Sequence, residues 1–563
     1  MIDTISAAVK KAFETLHPGI EVDFSVEYTD SLEHGHITCN VSMVASKQVG
    51  KMPRLIAEAL IPLLQDMNIE GVESYAVAGP GFLNVTLSRG MFADYIKKAQ
   101  TGGLPKNKSA AGREVLVEYT DPNPFKEFHI GHLMANAVGE SLAGLYEAGG
   151  ATVHRVCYQG DVGPHIAKAL WGLNKMVRED GETEVAYIGR AYAYGATQYE
   201  DSPEAKKEID EVNAAVYAKS DAALNEKYTW GRAVSLAHFD EIYKILGTKF
   251  EHFFFESEVA APGTKIVRDN MSNGVFEESD GAVIYRGEKK GLHTRVFITS
   301  KGLPTYETKE LALDLEAKPA RFTYDTSVIV TANEQNDFFK VVLAAMEDIN
   351  AAERAKIRHI SHGLMRFKDG KMSSRKGTVV TGESLIEDTT EALMTHFKTG
   401  EWTDEEKQKT AQVLAVASIK YVILRQSPGS DIVYDREKSV SLEGDSGPYV
   451  LYSLVRAHSL LAKAATTGAV PKAVLPTETA ALFEMLLPQY AHVLRRSLAE
   501  HSPNTLLTYG TKLAAAFNAW YGTTKVIDEQ NPYMPYQLAT IKTYADTMTD
   551  VLQVLGIPVV ERM

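Results

Sequence analysis

The chain of 563 residues contains two cysteines, Cys39 and Cys157. Two thiols are too few for a disulfide framework or a Cys-rich zinc site, so no zinc or other structural metal is expected. No run approaches the ~20 apolar residues that span a bilayer, and no membrane partner is expected. The opening stretch lacks the basic region and long apolar core of a secretory leader, which leaves the cytoplasm as the expected compartment. No fixed-period repeat or low-complexity tract is present. Positive charge is also in short supply: 59 Lys and Arg stand against 73 Asp and Glu, a net charge of −14. That balance argues against a broadly basic nucleic-acid-binding surface and against DNA as a partner. It does not say where the charges sit.

What is present is an ordinary globular composition, 45% hydrophobic and 23% charged. The length suggests about three to five domains. Residues 1–105 read as a small α+β domain. An amphipathic helix (Ile5, Val9, Phe13, Leu16) opens it, strand-like runs cover 21–29 and 36–44, a helix covers Pro53–Met67, and a turn at 78–81 leads into a strand. The Gly-, Lys- and Ser-rich stretch 101–112 reads as a linker.

A second unit, 106–400, starts with the apolar strand VLVEY at 115–119. The prolines of the loop TDPNPFKEF forbid an early helix. From Ile130 to Tyr146, apolar residues recur at helical spacing, and VHRVCY at 153–158 forms the next strand. Strand, helix and strand within about 45 residues imply a parallel sheet. Further strands are expected at 295–299 and 327–332. Between the two halves of this sheet lies 176–280, mostly helical in pattern, with 11 basic and 21 acidic residues. It therefore holds most of the chain's negative excess. Residues 401–563 read as successive helices with no strand, an all-α bundle.

Two motifs carry the chemistry. His129-Ile130-Gly131-His132 falls where the loop meets the helix. Histidines three apart share one helix face, Gly131 admits a flat ring to the backbone, and the helix N-terminus offers free N–H donors to phosphate. Alone, the pair is equally well read as a helix cap. The second motif, KDGKMSSRKGT at 368–378, lies in a stretch where five cations face one Asp between Arg366 and Lys376. A basic turn is usually just a solvated surface. It is also what a departing pyrophosphate requires, because its cations can close over the outer phosphates.

FHIGHL and GKMSSRKG resemble the HIGH and KMSKS motifs of class I aminoacyl-tRNA synthetases. The wider context resembles arginyl-tRNA synthetases, in AGPGFLNVTL (78–87), EYTDPNPFKEFHIGHL (118–133), GDVGPH (160–165), KGLPTYETKELALDL (301–315) and EGDSGPYVLYSLVRAH (443–458). The resemblance implies a Rossmann-like parallel-sheet catalytic domain with an insertion, an N-terminal α+β domain that contacts tRNA, and a C-terminal helical anticodon-binding domain. It implies ATP with Mg²⁺, L-arginine and tRNA(Arg) as partners, and a monomer. The reaction it implies is formation of arginyl-adenylate followed by transfer to the tRNA 3′ end.

Carried over position by position, the resemblance places ATP at His129, Gly131, His132, Met372, Ser373, Ser374 and Lys376. Arginine falls at Asp121, Asn123, His132, Tyr306, Glu310 and Gln335. The catalytic set is Lys126, His129, His132, Lys371 and Arg375. In the anticodon domain, Tyr449, Tyr452 and Arg456 share one helix and offer rings and a cation to RNA. A guanidinium is a permanently charged planar fork, so a pocket with a carboxylate suits it. Three departures stand out. Glu310 replaces the usual Asp, Asp121 replaces the usual Ser and adds a second carboxylate, and Ser374 replaces the second lysine of KMSKS. Lys126, just upstream of the histidine motif, is expected to supply that missing charge. A catalytically inactive RNA-binding relative is the competing reading, and the intact His129, Gly131, His132 and Lys371 argue against it. tRNA is expected to avoid the acidic 176–280 face.

Overall fold

The computed structural model describes residues 1–29, 32–105, 107–368, 380–397 and 402–563. The chain forms two compact units. One comprises Asn107–Tyr452, Leu494–Thr508 and Asp550–Met563. At its centre is a five-stranded sheet in the spatial order His252–Phe255, Thr152–Gln159, Glu114–Glu118, Thr326–Ala332, Ile357–His362, parallel throughout. Val115, Leu116 and Val117 are successive residues pointing to opposite faces, and all three are fully buried. Both faces of the sheet are therefore covered, as parallel sheets require.

The sheet corrects the sequence reading in two places. Its edge strand His252–Phe255 comes from inside the acidic stretch that was expected only to separate the halves of the sheet. The expected strand at 295–299 does form, as Arg295–Ile298, but in a separate three-stranded antiparallel sheet with Ala282–Tyr285 and Glu277–Ser279. Strand propensity is local, whereas sheet membership depends on which partner the chain brings alongside. The rest of 176–280 is largely helical, with helices Glu184–Asp201, Pro203–Ala218, Ala222–Leu246 and Glu256–Asp269. A strand absent from the sequence reading, Ile432–Tyr434, pairs in parallel with Met365–Phe367. The β-branched pair Ile432-Val433 was too short to register as a strand signal.

The helix Ile130–Ala148 leaves the sheet between the first two strands and is buried over most of its length. Two glycines allow this. A Cβ at Gly139 would stand 2.2 Å from the Tyr119 ring, and one at Gly144 would stand 2.1 Å from the Val554 carbonyl oxygen. Only glycine permits such approach.

The other unit comprises Met1–Lys106, Ser453–Val493 and Tyr509–Thr549. It contains an antiparallel sheet in the order Val26–Tyr28, Ile37–Cys39, Phe82–Leu87, Val72–Ala78. The helix Ile2–Leu16 buries Ile5, Val9 and Phe13 in the same apolar cluster as Ile37, Leu60, Leu83 and Val85. The first two strands are shorter than the sequence pattern suggested, because Asn40 starts a helix, Val41–Val49, inside the apolar run 36–44.

Candidate active site

Parallel strands gather their carboxyl ends on one side of a sheet, and ligands bind there. In the sheet-containing unit a cleft of about 630 Å³ opens at those ends. Glu118, Tyr158, Val330–Ala332 and His362 reach it from four of the strands. Asp121, Asn123, His129, Gly131, His132, Tyr306, Glu310 and Gln335 line it as well. Residues spread over 215 positions of sequence, from Asp121 to Gln335, thus line one cleft.

The loop after Glu118 enters the cleft in a strained conformation. Thr120, Asp121 and Phe125 have φ of 82°, 46° and 67°. A non-glycine residue held there costs about 1–3 kcal/mol, and such strain collects at working sites. The strain is held by hydrogen bonds to the neighbouring strand and its loop: Asp121 Oδ1 accepts the Tyr158 N–H at 2.7 Å, and Asn123 Oδ1 accepts the Gly160 N–H at 3.0 Å. Asp121 does present a second carboxylate to the cleft, with one oxygen already tied to backbone.

The histidine pair is both a cap and a cleft surface. His129 is the N-cap, where its Nδ1 accepts the Gly131 N–H at 3.1 Å. The His129 N–H in turn donates to His132 Nδ1 at 3.2 Å. Burial pushes the His132 imidazole well below its usual range, with His129, Lys126 and His362 adding to the effect. His129 shifts the same way, by partial burial and then Lys126. Both rings are therefore neutral near pH 7. Lys126 does not itself line the cleft; its Nζ lies 5.4 Å from the centroid of the Tyr192 ring.

Lys371, Met372, Ser373, Ser374, Arg375 and Lys376 lie outside the described residues. The chain on either side of them is anchored. Upstream, Lys368 pairs with Asp435 at 2.8 Å beside the paired strands Met365–Phe367 and Ile432–Tyr434. Downstream, Thr381 forms a β-bridge with His129, and the Gly382 N–H donates to the Phe128 carbonyl at 2.7 Å. The described residues on both flanks are therefore held in place, the downstream ones at the histidine motif itself.

The cleft lining carries negative charge in excess. Tyr306 begins the helix Tyr306–Ala312 and is 52% exposed. Glu310, one turn on, is 5% exposed, and its Oε1 has no hydrogen-bond partner among the described residues. The helix continues through a π-helical turn, Leu313–Ala317, into Lys318–Arg321. Such turns are often found at functional sites. This one sits between Glu310 and Lys318. Lys318 is fully buried and pairs with Glu118 at 2.7 Å and Asp314 at 2.5 Å. Burial pushes the Glu310 carboxyl well up, Asp314 and Glu118 reinforce it, and Lys318 only partly offsets them. Burial and then Glu118 push Asp121 the same way. One lysine thus answers four carboxylates, and a cationic ligand would meet an unsatisfied field.

Sequence reasoning missed Glu118, Tyr158, Glu256, Arg295, Glu307 and His362 as cleft residues. Glu118 had a legible signal, a charge closing an apolar strand. Tyr158 is similar, and its buried hydroxyl has no partner among the described residues. Nothing local marks Glu256. Of the proposed RNA contacts, Tyr449, Tyr452 and Arg456 are all half-buried on the helix Gly447–Thr466. Arg456 donates to Asn518 Oδ1 at 2.8 Å.

A parallel sheet, a histidine-capped helix at its carboxyl edge and a basic motif in sequence just ahead of the residues bridged to that cap define the catalytic unit of a class I aminoacyl-tRNA synthetase. Residues 97–435 match the family described as tRNA synthetases class I (R), catalytic domain. Residues 1–87 match the arginyl tRNA synthetase N terminal domain, and 450–563 the DALR anticodon binding domain. Among curated relatives, the arginine–tRNA ligase of Clostridium beijerinckii is 28% identical over 92% of each chain. That of Fusobacterium nucleatum is 27% identical over 98% of each. The fold is like that of Thermus thermophilus arginyl-tRNA synthetase (TM-score 0.81, 22% identity, 100% of each chain). It is also like that of the Plasmodium falciparum enzyme (TM-score 0.78, 20% identity, 100% of this chain and 99% of the other). The chain belongs to the class I arginyl-tRNA synthetase family, whose members are ATP-using arginine–tRNA ligases.

Proposed function

We propose the following division of labour for the arginine–tRNA ligase reaction in this chain. ATP lies with its adenine over Gly131 and its phosphates against His129, His132, Lys126 and the segment carrying Lys371, Met372, Ser373, Ser374, Arg375 and Lys376. Mg²⁺ enters as part of that substrate. Arginine lies with its α-amino end at Asn123 and Asp121 and its guanidinium at Glu310, flanked by Tyr306 and Gln335. The observation that carries this reading is the buried Glu310 oxygen with no hydrogen-bond partner among the described residues, beside carboxylates that Lys318 only partly offsets. A guanidinium supplies donors and the missing charge.

The substrate carboxylate then attacks the α-phosphorus and pyrophosphate leaves. No general base is needed, because the carboxylate is already ionised. Catalysis is positioning plus stabilisation of developing charge. The 2′-OH of the 3′-terminal ribose of tRNA(Arg) next attacks the arginyl carbonyl of the adenylate; the ester bond forms, the acyl–phosphate bond breaks, and AMP leaves with the hydroxyl proton lost to solvent. Tyr449, Tyr452 and Arg456 contact the anticodon region. The protein acts as a cytoplasmic monomer.

ATP–pyrophosphate exchange, run with each amino acid and with or without tRNA, tests the reading. Exchange that requires both arginine and tRNA supports it. Exchange with another amino acid, or none at all, overturns it.

A further inference from the structure

Four buried carboxylates line the cleft, Glu118, Glu256, Glu307 and Glu310, of which Glu118 is paired with Lys318 and Glu307 with Arg295. The other two are Glu310 and Glu256, the first residue of the helix Glu256–Asp269, which is 4% exposed. At low effective dielectric both attract a cation strongly. A substrate drawn to Glu256 would place its own carboxylate out of line with the α-phosphorus. The two acids differ in one respect. Glu256 forms an ion pair with Lys309, itself 2% exposed, whereas Glu310 keeps an oxygen without a partner among the described residues.

Lys309 precedes Glu310 on the same helix, so the two side chains leave the axis about 100° apart. One turns away to Glu256 and the other faces the cleft. Lys309 is not among the lining residues. Its Nζ also lies 4.4 Å from the centroid of the Tyr306 ring. The ammonium thus holds two cleft residues from behind, by an ion pair and by attraction to the ring face.

We infer that Lys309 is a specificity-setting positioning residue: by occupying Glu256 it removes a buried carboxylate that would otherwise compete with Glu310 for the guanidinium. The inference rests on the arginine pocket proposed above. Burial alone pushes the Glu256 carboxyl up, and Lys309 pulls it back. Without Lys309 the wall would therefore hold a second, poorly satisfied acid that competes for the substrate.

The test compares Lys309→Met, Lys309→Arg, Glu256→Gln and the double variant Lys309→Met/Glu256→Gln in the full-length enzyme, reading KM for arginine against KM for ATP and kcat. Lys309→Met is expected to raise the arginine KM about 10-fold or more while the ATP KM stays within about 2-fold. Lys309→Arg keeps the charge and should stay within about 3-fold. The double variant should return the arginine KM to within about 3-fold of the parent, because the competing acid is gone.

An unchanged arginine KM in Lys309→Met overturns the inference. So does a double variant as impaired as the single one, since that marks Lys309 as structural only. If Lys309→Met does not fold, the charge-balanced double variant decides alone, and a raised arginine KM there is the overturning result. Glu310→Gln, assayed alongside, separates the two ideas. No effect from it sinks the pocket itself, whereas an effect from Glu310→Gln with none from Lys309→Met sinks only the role of Lys309.

Discussion

The imidazole rings of His129 and His132 stack at 3.6 Å between centroids, inclined by 23°, and each takes a backbone N–H on Nδ1. A neutral ring that accepts on Nδ1 carries its proton on Nε2. The cap thereby sets the tautomer that a phosphate oxygen needs.

His132→Asn keeps an acceptor for the His129 N–H but removes the Nε2 donor. Adenylate formation is expected to fall about 10²–10³-fold with little change in melting temperature. His132→Ala loses the acceptor too and should cost about 1 kcal/mol of stability in addition. Pyrophosphate exchange and thermal melts read the two effects separately. A parental exchange rate in His132→Asn refutes the donor role.

Glu310→Gln removes the charge from the proposed guanidinium site without changing its shape much. The arginine KM should rise about 10–100-fold, with the ATP KM nearly unchanged. The free enzyme should become more stable, because repulsion with Asp314 and Glu118 is relieved. The parent should also bind arginine more tightly as pH rises. Its folded carboxyl titrates above the usual carboxylate range, and a bound guanidinium favours the ionised form, so binding releases a proton. Titration calorimetry in buffers of different ionisation enthalpy detects that release, and a buffer-independent enthalpy contradicts it.

Lys126 is partly buried, and its charge reaches both histidines and Glu256. With Ser374 in place of a lysine in the basic segment, Lys126→Ala should slow adenylate formation about 10²-fold while leaving the arginine KM little changed. Single-turnover measurement checks this, and an unaltered rate removes Lys126 from the mechanism.

His165 sets an acid limit on stability. Its Nε2 donates to the Gly160 carbonyl at 2.7 Å, Nδ1 is buried without a partner among the described residues, and burial lowers its pKa to about 3. The unfolded ring takes up a proton near pH 6.5, whereas the folded ring resists until about pH 3. Stability from this group is thus complete above pH 6.5 and declines as pH falls, by about 1.4 kcal/mol per unit. His165→Gln should show a correspondingly shallower loss between pH 6 and 4 in denaturant titrations. Identical slopes for parent and variant count against it.

The helices Glu184–Asp201, Pro203–Ala218 and Ala222–Leu246 carry much of the acidic stretch. Like charge repels the RNA backbone, so crosslinks from bound tRNA should be sparse there. Crosslinks concentrated on these helices would reverse that expectation. Glu256 is a separate matter, because it belongs to the cleft.

Much of the site was legible in advance, because the chemistry sits in short contiguous motifs. His129, Gly131 and His132 form one helical turn, and Tyr306 and Glu310 one more. In both, periodicity of 3.6 residues already places the side chains together. The helix Ile130–Ala148 and the strand Glu114–Glu118 were legible for the same reason, since apolar spacing is a local property. The strand His252–Phe255 was not. Its four residues sit in an acidic, helical stretch, and only the exposed edge of Thr152–Gln159 makes a strand of them.

The sequence by itself determined the family motifs, the parallel-sheet core and several of the residues that line the cleft. Tertiary structure alone decided the charge state of the cleft. Lys318 stands against Glu118 and Asp314 and Lys309 against Glu256, whereas Glu310 keeps one oxygen without a hydrogen-bond partner among the described residues. Those pairings join residues up to 200 positions apart. Electrostatic energy depends on distance and burial, which no linear spacing records.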